Sequence, residues 1–183
     1  TPLYSSAASD VYKRQQKDDW YPTPHKAIRS LLDVESFDET IWEPAAGDGA
    51  ISKVLEKACY QVISSDLNDY GYCDAGVDFL MAHKKAADSL VTNPPYKLAD
   101  QFIQHAIHLN VNKHAWLLRM SFVEGQARFN DIYSHSPPAQ IHVFSKRLTI
   151  WRGDQKPNST GTTCYAWFVW NSNYNGKTQL GWL

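Results

Sequence analysis

A chain of 183 residues is expected to hold one domain and is long enough for a mixed sheet-and-helix core. Hydrophobic residues make up 43% and charged residues 20%, which excludes a disordered chain, a collagen-like repeat and a coiled coil. A formal net charge of −1 carries no nucleic-acid signal, so any such surface has to be local.

The N-terminal end reads differently from the rest. Ser5–Gln15, SSAASDVYKRQ, is the in-frame translation of a widely used transposase-type sequencing adapter, and Thr1–Tyr4 fits the adapter end plus index bases. Residues 1–15 are therefore expected to be a library artefact without fold, with 16–183 forming a single domain. Setting Asp10, Lys13 and Arg14 aside moves the net charge to −2.

Trp20-Tyr21-Pro22-Thr23-Pro24 is an extended lead-in that stops before a helix. His25 to Leu32 carries Ala27, Ile28, Leu31 and Leu32 at helical spacing. Thr40-Ile41-Trp42 reads as a buried strand, Glu43 to Gly49 as a turn, and Ala50 to Ala58 as an amphipathic helix. Gln61 to Ser65 is a second strand ending at Asp66, and Val77-Asp78-Phe79-Leu80 a short third strand or its end. Asp88 to Thr92 is a fourth strand, running into Asn93-Pro94-Pro95-Tyr96. Leu98 to Leu109 is a helix and His114 to Met120 a fifth strand.

This alternation predicts an α/β domain with a largely parallel twisted sheet and helices on both faces. Beyond Phe122 the runs Gln140–Trp151 and Thr163–Trp170 suggest an antiparallel edge pair, and Asn175-Gly176 a tight turn before a last strand, Gln179–Leu183. The stretch Gly153–Thr162 reads as a loop.

Cys59, Cys73 and Cys164 form no disulfide or metal spacing, which points to a reducing compartment. The longest apolar runs fall far below the ~20 residues of a membrane helix, and no signal peptide is visible. A cytoplasmic protein is expected. Asn158-Ser159-Thr160 matches a glycosylation sequon without a secretion signal to support it.

Two constellations carry chemistry. The first is Glu43-x-x-x-Gly47-x-Gly49, between a strand and a helix, with Asp66 at the end of the next strand. Glycines there let the backbone approach a ligand, and a carboxylate at that strand end can accept both hydroxyls of a ribose. A dinucleotide site prefers a third glycine where this chain has Ser52, and the leading Glu43 suits a cationic cofactor better than a pyrophosphate. An ordinary strand-to-helix turn gives the same spacing.

The second is Asn93-Pro94-Pro95-Tyr96. An exocyclic amine on an aromatic or amide system is a poor nucleophile because its lone pair is delocalised. The Asn93 side-chain oxygen and the Pro94 carbonyl can accept its two N–H bonds and draw the nitrogen towards tetrahedral. The prolines stiffen the turn, and Tyr96 offers a flat stacking face. A lone tetrapeptide of this kind is also a common proline turn.

Together with Val77-Asp78-Phe79-Leu80, these motifs resemble the ordered motifs of class I S-adenosylmethionine-dependent methyltransferases, and more narrowly the DNA N6-adenine methyltransferases. Trp20-Tyr21-Pro22-Thr23-Pro24 resembles their N-terminal cofactor motif. QIHVFSKRLTIW (Gln140–Trp151) and AWFVWN (Ala166–Asn171) are similar to the C-terminal half of the small phage-type enzymes. The resemblance covers roughly residues 18–183 and implies a Rossmann-like class I fold with S-adenosyl-L-methionine as cofactor.

It implies that Glu43, Pro44, Ala45, Gly47 and Gly49 hold the methionine portion, and that Tyr21, Thr23 and Pro24 close over the carboxylate end. Asp66 would take the ribose with Leu67 near the adenine, while Asp78 accepts the adenine amine and Phe79 packs on that ring. Asn93, Pro94, Pro95 and Tyr96 would hold the target base, Asn93 also bordering the cofactor. A separate target-recognition domain has no room, so recognition is expected to be short or loose.

The basic stretch Lys146-Arg147, Arg152 and Lys156 is a candidate phosphate contact, or a solvated hairpin. Trp151 is a candidate to stack a flipped base, or a core residue. Arg119, Phe122 and the segment Ser121–Gly125 are candidate cleft lining. His105, His108 and His114 lack a partner at metal spacing, so no metal is expected.

The expected activity is methylation of adenine N6 in DNA, with the base flipped out, by a monomer without membrane attachment. The phage or prophage role would be modification against restriction. Alternatives are a protein glutamine, an RNA base or cytosine N4 as acceptor, a non-catalytic nucleic-acid-binding relative and, weakest, a dinucleotide oxidoreductase.

Overall fold

The computed structural model describes residues 22–150 and 163–183. Pro24, with φ −60°, heads helix α1 (His25–Leu32), and the chain then enters β1 (Thr40–Glu43). Helix α2 is Ser52–Lys57, followed by β2 (Gln61–Ser64) and β3 (Ser89–Thr92). A 3₁₀ turn, Tyr96–Leu98, leads into α3 (Ala99–His108) and then β4 (Lys113–Arg119). Another 3₁₀ turn, Met120–Val123, precedes α4 (Gln126–Arg128), which runs on as a π turn, Phe129–Tyr133. The chain closes with β5 (Gln140–Val143), β6 (Tyr165–Asn171) and β7 (Gln179–Trp182).

Among the described residues seven strands form one sheet in the order β2-β1-β3-β4-β6-β5-β7. The pairs β1–β2, β1–β3, β3–β4 and β5–β7 are parallel, while β4–β6 and β5–β6 are antiparallel. The expected antiparallel pair is thus present. β7 adds a strand outside it, parallel to β5, so the outermost ladder on that side is a parallel one.

Alternation along the central strands divides the core into two layers. Trp116 and Leu118 of β4 and Phe168 of β6 face the layer covered by Phe102, Ile103 and Ala106 of α3. Ala115, Leu117 and Trp167 face the opposite layer, with Ala27, Ile28 and Leu31 of α1 and Val54 and Leu55 of α2. Strands buried on both faces read as continuous apolar runs, as β4 and β6 do. The edge strands β2 and β7 are the exposed ones.

Two segments depart from the sequence expectation. Val77-Asp78-Phe79-Leu80 is not a strand: Phe79–Met81 is a 3₁₀ turn. The Asp78 carboxylate accepts the Leu80 N–H at 2.9 Å, closing the turn against an extended path. The run Gln140–Trp151 is strand only to Val143. Beyond it the Ser145 N–H bonds to the Leu183 carbonyl at 2.9 Å, and Leu148 turns back into the core with 1% exposure. Trp151 lies outside the described residues. Gln126–Tyr133 was not foreseen; its short helical turns carry no full amphipathic period.

At the amino end of the strands Glu35 joins three elements. It accepts Lys113 Nζ at 2.6 Å and lies 2.7 Å from His142 Nε2. Burial acts to raise its pKa, but the hydrogen bonds from His142 and Lys113 outweigh that and leave it lowered from 4.5. A depressed folded pKa means that stability is present above the unfolded value and is lost as pH falls through the folded one. Glu35→Gln is expected to cost about 1–3 kcal/mol at neutral pH. Urea unfolding of both proteins should show this gap closing on acidification. A gap independent of pH contradicts the ion-pair role.

Among the described residues no helix is long and apolar enough to cross a membrane, and no group of three or more His, Cys, Asp or Glu could hold a metal ion. His114, one of the histidines considered for a metal, is a core residue. It is stacked on Trp170 at 5.4 Å, and its Nδ1 accepts the Trp116 indole N–H at 2.6 Å. Burial pushes its pKa down to about 3, so it stays neutral.

Candidate active site

Three parallel strands deliver the candidate residues to one place. Glu43 ends β1, Asp66 follows β2 and Asn93 follows β3. β1 lies between β2 and β3, so these carboxyl ends flank the switch point where an α/β sheet binds its ligands. An open cleft lies there, lined from all three strand ends. Its lining includes Thr23, Glu43, Pro44, Ala45, Gly47, Asp66, Leu67, Asp78, Phe79, Asn93, Pro94 and Pro95. Two constellations some fifty residues apart in sequence thus share one cavity.

The acidic groups are held tightly. Glu43 is 1% exposed and accepts from the Ser52 hydroxyl, which in turn lies 2.7 Å from Ser64 Oγ. Ser52, at the position of a dinucleotide site's third glycine, therefore serves the first carboxylate. Burial pushes the Glu43 carboxyl well up, the Ser52 hydrogen bonds offset part of this, and the nearby charges of Asp66 and Asp48 add to it. Asp66 Oδ2 accepts the Gly47 N–H at 2.9 Å and Oδ1 the Asn68 N–H at 2.8 Å. Burial raises its pKa too, against the N–H bonds from Asn68, Gly47 and Leu67. A ligand with a cationic centre would favour the ionised form of both carboxyls.

Asn93 is fixed by a contact across the cleft. Its Nδ2 donates to Thr23 Oγ1 at 3.0 Å. Tyr96 lies outside the cleft lining and packs against both core layers. Its ring is 6.0 Å from that of Tyr165, and the Arg119 guanidinium lies over it at 5.1 Å. Arg119 thus occupies one face of the Tyr96 ring. Burial holds the Tyr96 phenol well above its ordinary pKa, so it is neutral at every working pH.

Three further expected residues, Gly49, Pro24 and Phe122, lie outside the cleft lining. Gly49, with φ +77°, is outside the lining; a β-carbon there would meet the Tyr72 ring at 2.5 Å. The Tyr72 side chain thus closes directly on this glycine. Gly49→Ala is expected to destabilise by about 1–2 kcal/mol from its left-handed backbone alone, and further from Tyr72. Urea melts in a Tyr72→Ala background should remove only the second part. An equal loss in both backgrounds contradicts the contact.

Pro24 also lies outside the lining, because it caps α1 and its carbonyl accepts the Ala27 N–H at 2.8 Å. Phe122 is 8% exposed, edge-on to Phe168 at 5.7 Å and covered by Arg128 at 3.9 Å, so it is core. Lys146 and Arg147 are exposed just past β5. β5 runs antiparallel to β6, which runs antiparallel to β4, so they emerge on the same side of the sheet as Asn93. Tyr21, Arg152 and Lys156 lie, like Trp151, outside the described residues.

The cleft also includes residues that sequence reasoning missed. Asp48, Asn68 and Tyr70 line it. They stand in turns and in the loop after β2, where no periodicity marks them. The only signal is proximity to the acidic strand ends.

No protein-family model matches the chain, and no curated protein matches it. Solved structures do. A protein of Vibrio vulnificus YJ016 assigned as a modification subunit of a type I restriction enzyme shares 13% identity at TM-score 0.55, over 94% of this chain and 49% of that one. The chain spans about half the length of that subunit. A Pyrococcus horikoshii protein assigned as an RNA methyltransferase shares 13% identity at TM-score 0.54, over 84% and 87%. The 1,6-didemethyltoxoflavin-N1-methyltransferase of Burkholderia thailandensis, solved with S-adenosylhomocysteine, shares 11% at TM-score 0.53, over 93% and 92%.

The fold is the Rossmann-like class I methyltransferase fold. At these identities the likeness is one of architecture. Within this class I fold, the Glu43–Asp66 end of the cleft and the Asn93–Pro95 end are the two halves of one candidate site.

Proposed function

We propose that this chain transfers a methyl group from S-adenosyl-L-methionine to the N6 amine of adenine in DNA. The observation that carries the reading is the meeting of Asn93-Pro94-Pro95 with Glu43 and Asp66 in one cleft at the carboxyl ends of β1, β2 and β3. When bound, S-adenosylmethionine supplies an electrophilic methyl on a sulfonium centre. Its positive charges suit the buried Glu43 and Asp66 carboxyls, whose ionisation burial opposes. Asp66 would hold the ribose hydroxyls, while Asp78 and Phe79 would border the adenine.

The residues of the second half act on the acceptor. Asn93 Oδ1 and the Pro94 carbonyl accept the two N–H bonds of the exocyclic amine. This weakens delocalisation into the ring and aims the lone pair along the cleft towards the methyl. The prolines keep the main-chain carbonyl from turning away. Tyr96 is beside the turn to pack on the base. The methylated amine is acidic enough to release its proton to water, so no strong general base is required. Adenine in a duplex would have to leave the stack to reach this depth.

DNA as acceptor is supported by the resemblance of Asn93–Tyr96 and the tail segments to the small adenine methyltransferases. It is also supported by the exposed Lys97, Lys146 and Arg147 on the substrate side of the sheet, placed for phosphate contacts. The fold likeness to a protein assigned to restriction-modification points the same way.

The test offers methyl-labelled S-adenosylmethionine with duplex DNA, single-stranded DNA, RNA and a cell protein extract separately. Label in DNA is expected. Label in RNA or protein keeps the methyl transfer and overturns the acceptor, and cofactor binding without label supports a non-catalytic relative.

A further inference from the structure

We propose that Thr23 is a positioning residue for Asn93, holding its carboxamide by the nitrogen so that Oδ1 is turned to the acceptor. The inference rests on the methyl-transfer reading and gives Thr23 a role distinct from contact with the cofactor's carboxylate. The bond from Asn93 Nδ2 to Thr23 Oγ1 spans 3.0 Å and joins residues 70 positions apart. A side chain on a turn between a strand and a 3₁₀ helix has several open rotamers. The reaction tolerates only the one that presents the oxygen to the amine, because an amide N–H aimed there would meet N–H and compete for the lone pair.

Thr23 is suited to hold that rotamer. It is 6% exposed and sits one residue before the Pro24 cap of α1. That helix start is itself anchored, since Ala27 and Ile28 are fully buried and the Ala27 carbonyl accepts the Trp167 indole N–H at 2.9 Å. The Tyr96 hydroxyl also lies near the Asn93 side chain. The carboxamide is therefore gripped between the start of α1 and its own turn. Misplacing such a group by about 1 Å costs on the order of 10²-fold in rate.

Thr23→Val keeps the shape and removes the hydroxyl; Thr23→Ser keeps the hydroxyl. In the full chain, Thr23→Val is expected to lower single-turnover transfer at saturating cofactor by about 10- to 10²-fold. The S-adenosylmethionine Kd should move by less than about threefold, and Thr23→Ser should restore the rate. The Asn93 side-chain amide protons, assigned by their loss in Asn93→Ala, should exchange faster with water in Thr23→Val. A weakened Kd with an unchanged saturated rate overturns the proposal and makes Thr23 a cofactor contact. Unchanged Asn93 amide signals overturn it as well. A wild type that labels no acceptor sinks the methyl-transfer reading instead, and the amide signals still decide whether Thr23 orients Asn93.

Discussion

Asn93→Ala is expected to slow methyl transfer by at least about 10²-fold, in line with the loss of one preorganised group from a buried reaction centre. The side chain stands at the carboxyl end of β3, lines the cleft and is tied to Thr23 at 3.0 Å. It acts on the acceptor's amine, so its removal should fall on the rate at saturation and leave the cofactor Kd nearly intact. Thermal melting of the variant separates this from unfolding, since the bond to Thr23 is a single polar contact. Preserved transfer with an intact fold would remove Asn93 from the chemistry.

Asp66→Ala should do the reverse, weakening S-adenosylmethionine by about 10²-fold, in proportion to a lost charge-assisted contact of roughly 1.5–3 kcal/mol. Asp66 is 8% exposed, and its two oxygens hold the N–H groups of Gly47 and Asn68. The variant therefore loses the carboxylate and also loosens the Gly47 turn beside it. Burial raises the Asp66 pKa from 3.8. Its charge is lost as pH falls through that raised value, so wild-type affinity should decline on acidification earlier than for an exposed aspartate. Titration calorimetry across pH checks both points. An unchanged Kd in Asp66→Ala takes Asp66 out of the site.

The parts of the site that lie on strand ends were legible in the sequence. Glu43 and Asn93 stand at the ends of buried strands and Asp66 after the edge strand β2, and a parallel sheet brings such ends together whatever the loop lengths between them. Residues in loops were not legible. Tyr70 and Asn68 enter the cleft from a segment without periodicity, and the Thr23–Asn93 bond spans too much sequence for any local pattern to show.

Glycine spacing did not show that the Tyr72 ring closes on Gly49. Short apolar runs misled. Val77–Leu80 reads as strand by composition, yet one side-chain bond from Asp78 to the Leu80 N–H turns it into a 3₁₀ helix. Phe122 looked like cleft lining because it follows β4, but its ring turns into the layer of Phe168.

The central claim is tested most directly by digesting duplex DNA to nucleosides after incubation with the full chain and methyl-labelled S-adenosylmethionine. The account predicts label in N6-methyldeoxyadenosine, abolished in Asn93→Ala. Label only in N4-methyldeoxycytidine, or no labelled nucleoside from a protein that binds the cofactor, would contradict it.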